Sequence, residues 1–408
     1  MKAFIKFLLP FVALIMMINA SEAQDSWTKK ANFPGVGRCY AAGFSIGNRG
    51  YVGGGDTSNN FNTGLPLKND FWQYNPDSNK WSQKANIPGY PRFGGVYFSI
   101  GNKGFFGGGN GGNDFWEYDP AQNTWTRKAD IPGYVRLYPA AFAIGGKGYV
   151  GMGFIWGAGS LIVLHDFWEY DTIYNSWTQK SNFAGVPKCY AVGFAIGNKG
   201  FIGTGLDSNN SYYNDFWEYN PAKDSWTQKA SIGLNGRSGA IGFSMANEGY
   251  IGFGYINQTG VENDMWAYDT TNNKWTQKSY SDPAYVVSSP FAFRIRNTAY
   301  VGSGEDYNGN FYNDFYKYSN HTAGIAEPNN QINFSIYPNP NTGNFVLSTS
   351  YQIQSYTICD MNGKEIYRNG VNEPGSQINI DLNLSKGMFL IKVVSSEGTA
   401  VKKFLVED

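Results

Sequence analysis

Apolar and polar positions alternate along this chain in short runs, cut by clusters of Gly, Asn, Asp and Pro. One stretch shows the pattern in full. Phe93 to Ile100 reads as a strand, and Gly101-Asn102-Lys103-Gly104 as a tight turn. Phe105 to Gly109 is a second strand, and Asn113-Asp114-Phe115-Trp116-Glu117-Tyr118 a third. Asp119-Pro120-Ala121-Gln122-Asn123 turns the chain again before Trp125 opens a fourth. Short strands joined by such turns predict one antiparallel sheet.

The same order recurs along the chain. The string Trp-Thr/Ser-x-Lys starts at Trp27, Trp81, Trp125, Trp177, Trp226 and Trp275, at spacings of 54, 44, 52, 49 and 49 residues. A Gly-x-Gly pair closes each second strand, from Gly53/Gly55 to Gly302/Gly304. Eleven of the twelve Trp fall on repeat positions, which marks them as packing residues.

These units resemble kelch repeats, on their paired glycines, their aromatic third strands and the Trp of the fourth. The resemblance covers residues 27 to 319 and implies an all-β fold of the galactose oxidase/kelch-like superfamily, a six-bladed kelch-type β-propeller. It departs from the kelch pattern in that the glycines common to all units are not adjacent. Met152, Thr204, Phe253 and Ser303 stand between them in the last four. Trp27 has no strands of its own before it, and residues 288 to 319 have no Trp strand after them. The N-terminal strand is therefore expected to close the ring and hide its edges.

After Ser319 the repeat disappears. Six short strands follow, at 334–336, 345–347, 356–358, 378–380, 388–394 and 401–406, and predict a small β-sandwich of immunoglobulin-like kind. This segment resembles the C-terminal sorting domain of type IX secretion substrates. The match rests on Tyr337-Pro338-Asn339-Pro340, Gly343-Asn344-Phe345, Asp360-Met361-Asn362-Gly363-Lys364, Ser385-Lys386-Gly387-Met388-Phe389-Leu390 and Lys402-Lys403-Phe404. It implies a partner, the type IX secretion machinery, and a secreted or outer-surface location. An ordinary ligand-binding sandwich is the alternative.

The first residues agree with export. Lys2 and Lys6, the apolar run Leu8 to Ile18 and the small residues of Ser21-Glu22-Ala23 read as a cleaved signal peptide. The expected organisation is thus a signal peptide at 1–23, a propeller at 24–319, a linker at 320–330 and a sorting domain at 331–408. No later run is long and apolar enough to span a bilayer, so no transmembrane segment is expected after cleavage. Lys plus Arg and Asp plus Glu balance at 32 each, which gives no global pull toward nucleic acid. Cys39, Cys189 and Cys359 lie too far apart in sequence to suggest a disulfide framework.

The superfamily includes copper oxidases and sialic acid mutarotases. After the signal peptide only His165 and His321 are available, without partners at ligand spacing, so no metal and no cofactor are expected. The Asp column Asp70, Asp114, Asp166, Asp215, Asp264 and Asp314 suggests a strand-end role in every blade. A second column, just before each first strand, holds Arg38, Arg92, Arg136, Lys188 and Arg237, with Val287 in the sixth unit. Two residues on stand Tyr40, Tyr138 and Tyr190. Together these cations and rings are expected near one channel mouth, as candidates to hold an anionic or sugar ligand. A structural role shared by all units is the alternative. The loop Phe154 to His165 breaks the repeat with apolar residues, among them Trp156, the only Trp outside the columns. It is either a lid or partner contact at that mouth, or it tucks against a neighbouring blade.

Three functions remain open at this point: a binding module for a glycan or surface protein, a metal-independent mutarotase- or epimerase-like enzyme, and a structural or adhesive envelope protein. A carboxylate cluster at the mouth would favour the enzyme, and the first-strand columns offer none.

Overall fold

The computed structural model describes residues 25–58, 67–157, 160–233, 235–256, 260–281, 285–320, 334–360, 365–395 and 398–407. The signal peptide expected at 1–23 and most of the linker lie outside the described residues. Contacts divide the chain into two compact units, Asp25–Asn320 and a C-terminal one.

The first unit contains six four-stranded antiparallel sheets. Their innermost strands are Ala42–Ile46, Val96–Ile100, Ala140–Ile144, Val192–Ile196, Ile241–Met245 and Phe291–Ile295. Each packs against the innermost strands of the two neighbouring sheets, and the last returns to the first. Five sheets are contiguous in sequence; the sixth is completed by Ser26–Lys29, whose Trp27 lies opposite Tyr318. Closing a ring with the chain's first strand pairs an edge that a linear array would leave open.

Three repeated contacts join neighbouring sheets. The first is a close approach. A Cβ added to Gly50 would lie 2.1 Å from the Phe293 ring, and one added to Gly148 would lie 2.3 Å from Phe98. Only glycine admits the neighbour's ring there. The second uses the turn between third and fourth strands. Asn79, Asn123, Asn175 and Asn273 sit there in left-handed conformation, and Asp224 takes the same place. Each accepts a tyrosine hydroxyl of its own sheet, as in Tyr118 to Asn123 at 2.8 Å, and a backbone N–H of the adjoining one, as in Ala85 to Asn123 at 2.9 Å. The third is the outer-strand indole. Trp125 donates to the Ala85 carbonyl and Trp177 to that of Ala129, both at 2.9 Å. These outer tryptophans are half-buried clasps between sheets, apart from Trp275, which is buried.

The C-terminal unit is a single five-stranded sheet. Two of its strands, Asn344–Cys359 and Glu365–Asp381, are long and shift register near their middles. The stretches 345–347 and 356–358, expected as separate strands, are thus two halves of one. The first half pairs with Phe334–Tyr337 and the second with Gly387–Ser395, which in turn pairs with Gly398–Val406. The two halves share one core, in which Phe345 meets Phe404 at 4.8 Å between ring centroids. Among the described residues no helix is long and apolar enough to cross a membrane.

Candidate binding site at the channel mouth

The innermost strands begin at the end of the channel where the variable loops lie. The residues Tyr40, Gly94, Tyr138, Tyr190, Gly239 and Ser289 precede them, and all six have positive φ between 52° and 64°. Their backbones form a belt around the channel. Tyr40 N–H donates to the Ser289 carbonyl at 3.1 Å, Ser289 to Gly239 at 2.7 Å, Gly239 to Tyr190 at 3.4 Å, Tyr190 to Tyr138 at 3.2 Å, and Tyr138 to Gly94 at 2.8 Å. Left-handed backbone costs a non-glycine residue about 1 kcal/mol. Three tyrosines nevertheless occupy it, and their rings meet. Tyr138 stacks on Tyr190 at 3.9 Å, and Tyr40 lies 4.6 Å from Tyr138. The three rings cluster within the mouth.

The cation column is placed otherwise than the sequence suggested. Arg38, Arg92, Arg136, Lys188 and Arg237 are all at most 3% exposed. Each pairs with the Asp of its own sheet: Arg38 with Asp70 at 2.5 Å, Arg92 with Asp114 at 2.5 Å, Arg136 with Asp166 at 2.6 Å and Arg237 with Asp264 at 2.6 Å, while Lys188 pairs with Asp215. Each arginine also donates to the carbonyl in the middle of its Gly-x-Gly, from Gly54 at 2.9 Å to Met152 at 3.3 Å. That middle residue is left-handed in all six sheets, at φ 60° to 68°. The same Asp takes an indole N–H two residues on, as in Trp116 to Asp114 at 2.6 Å. Where Val287 replaces the cation, Asp314 pairs with Lys29 of the closing strand at 2.5 Å.

Burial works to raise the Asp70, Asp114 and Asp166 carboxyls, but their arginine and indole donors hold them below the usual carboxylate range. Burial lowers Lys188, with Asp215 opposing it. These cations are clamps on strained backbone rather than free charges at the mouth. Their charged ends are paired inside the sheets, with the Nε groups of Arg136 and Arg237 buried without a partner, and this corrects the expected basic ring.

The apolar loop is packed at its base and exposed at its tip. Phe154–Gly157 and Ser160–Val163 form a hairpin in which Trp156 lies opposite Leu161. At its base Phe154, Leu161 and Val163 pack with the tyrosine cluster. At its tip Trp156 is 70% exposed. Its ring meets that of Phe154 edge-on at 5.5 Å.

Sequence reasoning missed the residue that follows each Gly-x-Gly. That column reads Asp56, Asn110, Phe154, Leu206, Tyr255 and Glu305. It pairs with the chain beside the tyrosine belt, as in Cys39 with Asp56, Leu137 with Phe154 and Ser288 with Glu305. The mouth therefore has an apolar side at the third and fourth sheets and a polar side at the fifth, sixth, first and second. Glu305 is 8% exposed and Asp56 1%. Burial, with the charges of Asp56 and Asp306, pushes the Glu305 carboxyl up to about 7. Burial also raises Asp56, against donors that include the backbone N–H of Ser58. No described residue donates a hydrogen bond to the Glu305 carboxylate. Asp306, by contrast, is spent on its own turn, taking the N–H groups of Asn308 and Asn310 at 2.9 and 2.8 Å. The signal was present in the sequence as a column that changes character around the ring.

Cys39 and Cys189 beside the belt are free and buried, and burial pushes the Cys189 thiol up to about 12, the opposite of an activated nucleophile. Among the described residues no group of three or more His, Cys, Asp or Glu is placed to hold a metal ion.

No curated protein matches the chain. Among solved structures, that of YjhT aligns with a TM-score of 0.60 at 15% identity, covering 70% of this chain and 95% of YjhT. At that identity the likeness shows a propeller-like fold and carries no function with it. Residues 335–407 match the family model of the secretion system C-terminal sorting domain. The C-terminal unit is thus a type IX sorting domain, and the chain is a secreted protein with a propeller-like fold, attached to the cell surface or released.

Proposed function

We propose that the propeller binds neutral saccharides at the mouth bounded by Trp156, Tyr255, Asp56 and Glu305. Buried ion pairs occupy all five cations of the arginine column, so the mouth offers an incoming ligand no guanidinium. It offers instead the underused Glu305 carboxyl, with Asp56 buried behind it, and exposed aromatic surface. Sugar hydroxyls donate to carboxylates, and the apolar faces of pyranose rings stack on aromatic side chains. The carrying observation is the placement of Glu305, nearly buried beside the tyrosine belt and without a hydrogen-bond donor among the described residues. Export by the sorting domain brings such a site to where extracellular glycans are found.

Glycan-array binding by the propeller and by its Trp156→Ala and Glu305→Ala variants tests this reading. Retention of a neutral glycan by the native protein, with loss in both variants, is expected. Equal signals from all three would refute it.

One observation favours a second reading, a mutarotase- or epimerase-like activity. A carboxyl raised to about 7 beside another carboxyl is suited to exchange protons near neutral pH. Faster anomer interconversion of a bound sugar, abolished in Glu305→Gln, would distinguish it from binding alone.

A further inference from the structure

The channel behind the tyrosine belt widens toward its other end, into a cavity of about 610 Å³. Its wall follows from the period of two in the innermost strands. Phe44, Phe98, Phe142, Phe194, Phe243 and Phe293 are buried within the sheets, so the residues on either side of them face the channel. These are nearly all Gly, Ala or Ser, which is what leaves the space open. Tyr97 narrows the channel toward the belt and also lines the smaller cavity beneath the tyrosines.

The position after each of these phenylalanines reads Ser45, Ser99, Ala143, Ala195, Ser244 and Arg294 around the ring. They share one level, since Ser45, Ser99, Ser244 and Arg294 lie opposite equivalent second-strand residues, Gly50, Gly104, Gly249 and Ala299. Arg294 belongs to the sixth sheet, so its neighbours at that level are Ser244 on one side and Ser45 on the other. Ser99 follows Ser45. A polar arc of three hydroxyls and one guanidinium thus faces two alanines. Among the described residues Arg294 is the one charged side chain lining the cavity, and none of those lining it is acidic. It has no ion-pair partner among the described residues.

We infer that this end of the channel binds a small organic carboxylate, held by Arg294 and the flanking serine hydroxyls. A guanidinium matches a carboxylate with two parallel hydrogen bonds. One cation with no second positive charge on the wall matches a single negative charge better than a phosphate dianion. A cavity of this size accommodates a molecule as large as a monosaccharide. The site lies at the end of the channel away from the mouth with Trp156 and Glu305, and does not depend on what that mouth binds.

Calorimetric titration of the full secreted chain with D-glucuronate, D-glucose and inorganic phosphate tests this, since the first two differ in the carboxylate. Binding of D-glucuronate that is weakened about tenfold or more in Arg294→Gln and unchanged in Trp156→Ala is expected, while any D-glucose bound at the mouth should be lost in Trp156→Ala and kept in Arg294→Gln. The exposed, unpaired Arg294 has no packing role, so an unchanged melting temperature should accompany the loss. Failure of D-glucuronate to bind, D-glucose binding that Arg294→Gln weakens equally, tighter binding of phosphate, or full retention of D-glucuronate in Arg294→Gln would each overturn the inference.

Discussion

Tyr138 and Tyr190 come from adjacent sheets, yet their rings stack with centroids 3.9 Å apart and planes 24° from parallel. Both residues carry a left-handed backbone, at φ 52° and 55°. The belt imposes that conformation on every sheet, and glycine fills it in the second and fifth. Tyrosine at these positions trades backbone comfort for ring stacking within the mouth.

The trade is measurable. Tyr190→Gly relieves the backbone and Tyr190→Ala does not, while both lose the ring. Tyr190→Gly should be the more stable of the two by about 1 kcal/mol, read from urea denaturation midpoints. Equal stability would show that the conformation carries no cost here.

Arg136→Ala should destabilise the propeller by about 3 kcal/mol, because it strands Asp166 without its partner. It removes the donor to the Met152 carbonyl as well. Arg136→Lys should cost less, since Lys188 makes the equivalent pair with Asp215 in the fourth sheet. Denaturation curves decide this. A variant with unchanged stability but altered ligand binding would restore the cation column as a binding element.

The close glycines should resist the smallest substitution. Gly148→Ala places a methyl 2.3 Å from the Phe98 ring, so the sheets must separate. A loss of about 1–3 kcal/mol is expected. The sixth sheet carries Ala299 at this position, buried in the same cluster as Phe243, so Ala299→Gly should be milder. A thermal melt of each variant gives the comparison.

Glu305 makes stability depend on pH. Its carboxyl is raised from the ordinary 4.5 to about 7, so between those values the folded state holds a proton that the unfolded chain has released. Stability contributed by the protonated form is therefore lost as pH rises through that window. Glu305→Gln should remove this loss and be more stable than the native protein at pH 8, with little difference at pH 4. The lowered carboxyls of Asp70, Asp114 and Asp166 act in the opposite sense. Their contribution is present above the ordinary Asp range and lost as pH falls through their depressed values. Denaturation midpoints across pH 4 to 8 that coincide for Glu305→Gln and the native protein would contradict the assignment.

The sheets were legible because turns and alternation are local. Gly101-Asn102 announces its hairpin whatever the ring does around it, and the unpaired Trp27 strand required a partner at the other end of the repeat. The sorting domain's strands were legible as stretches, but not their continuity. Register shifts between Ser348 and Ser355 move the buried positions from Phe345, Leu347 and Ile353 to Tyr356 and Ile358 while the strand runs on. The candidate site was less legible. Arg136 looks the same in sequence whether it faces a channel or an aspartate thirty residues later, and only the fold brings Asp166 to it. Glu305 was hidden for the converse reason. Its importance comes from burial and from Asp56, a residue of another sheet. The tyrosine column was legible in the sequence, and the structure brings its three rings together in one cluster.

The most direct measurement is the position of a bound saccharide in a crystal of the propeller soaked with its strongest array ligand. The account predicts the sugar against Trp156 and Tyr255, with a hydroxyl on Glu305 and the arginine column still paired beneath. A sugar seated on Arg136 with the Asp166 pair broken, or one bound away from this mouth altogether, would contradict it.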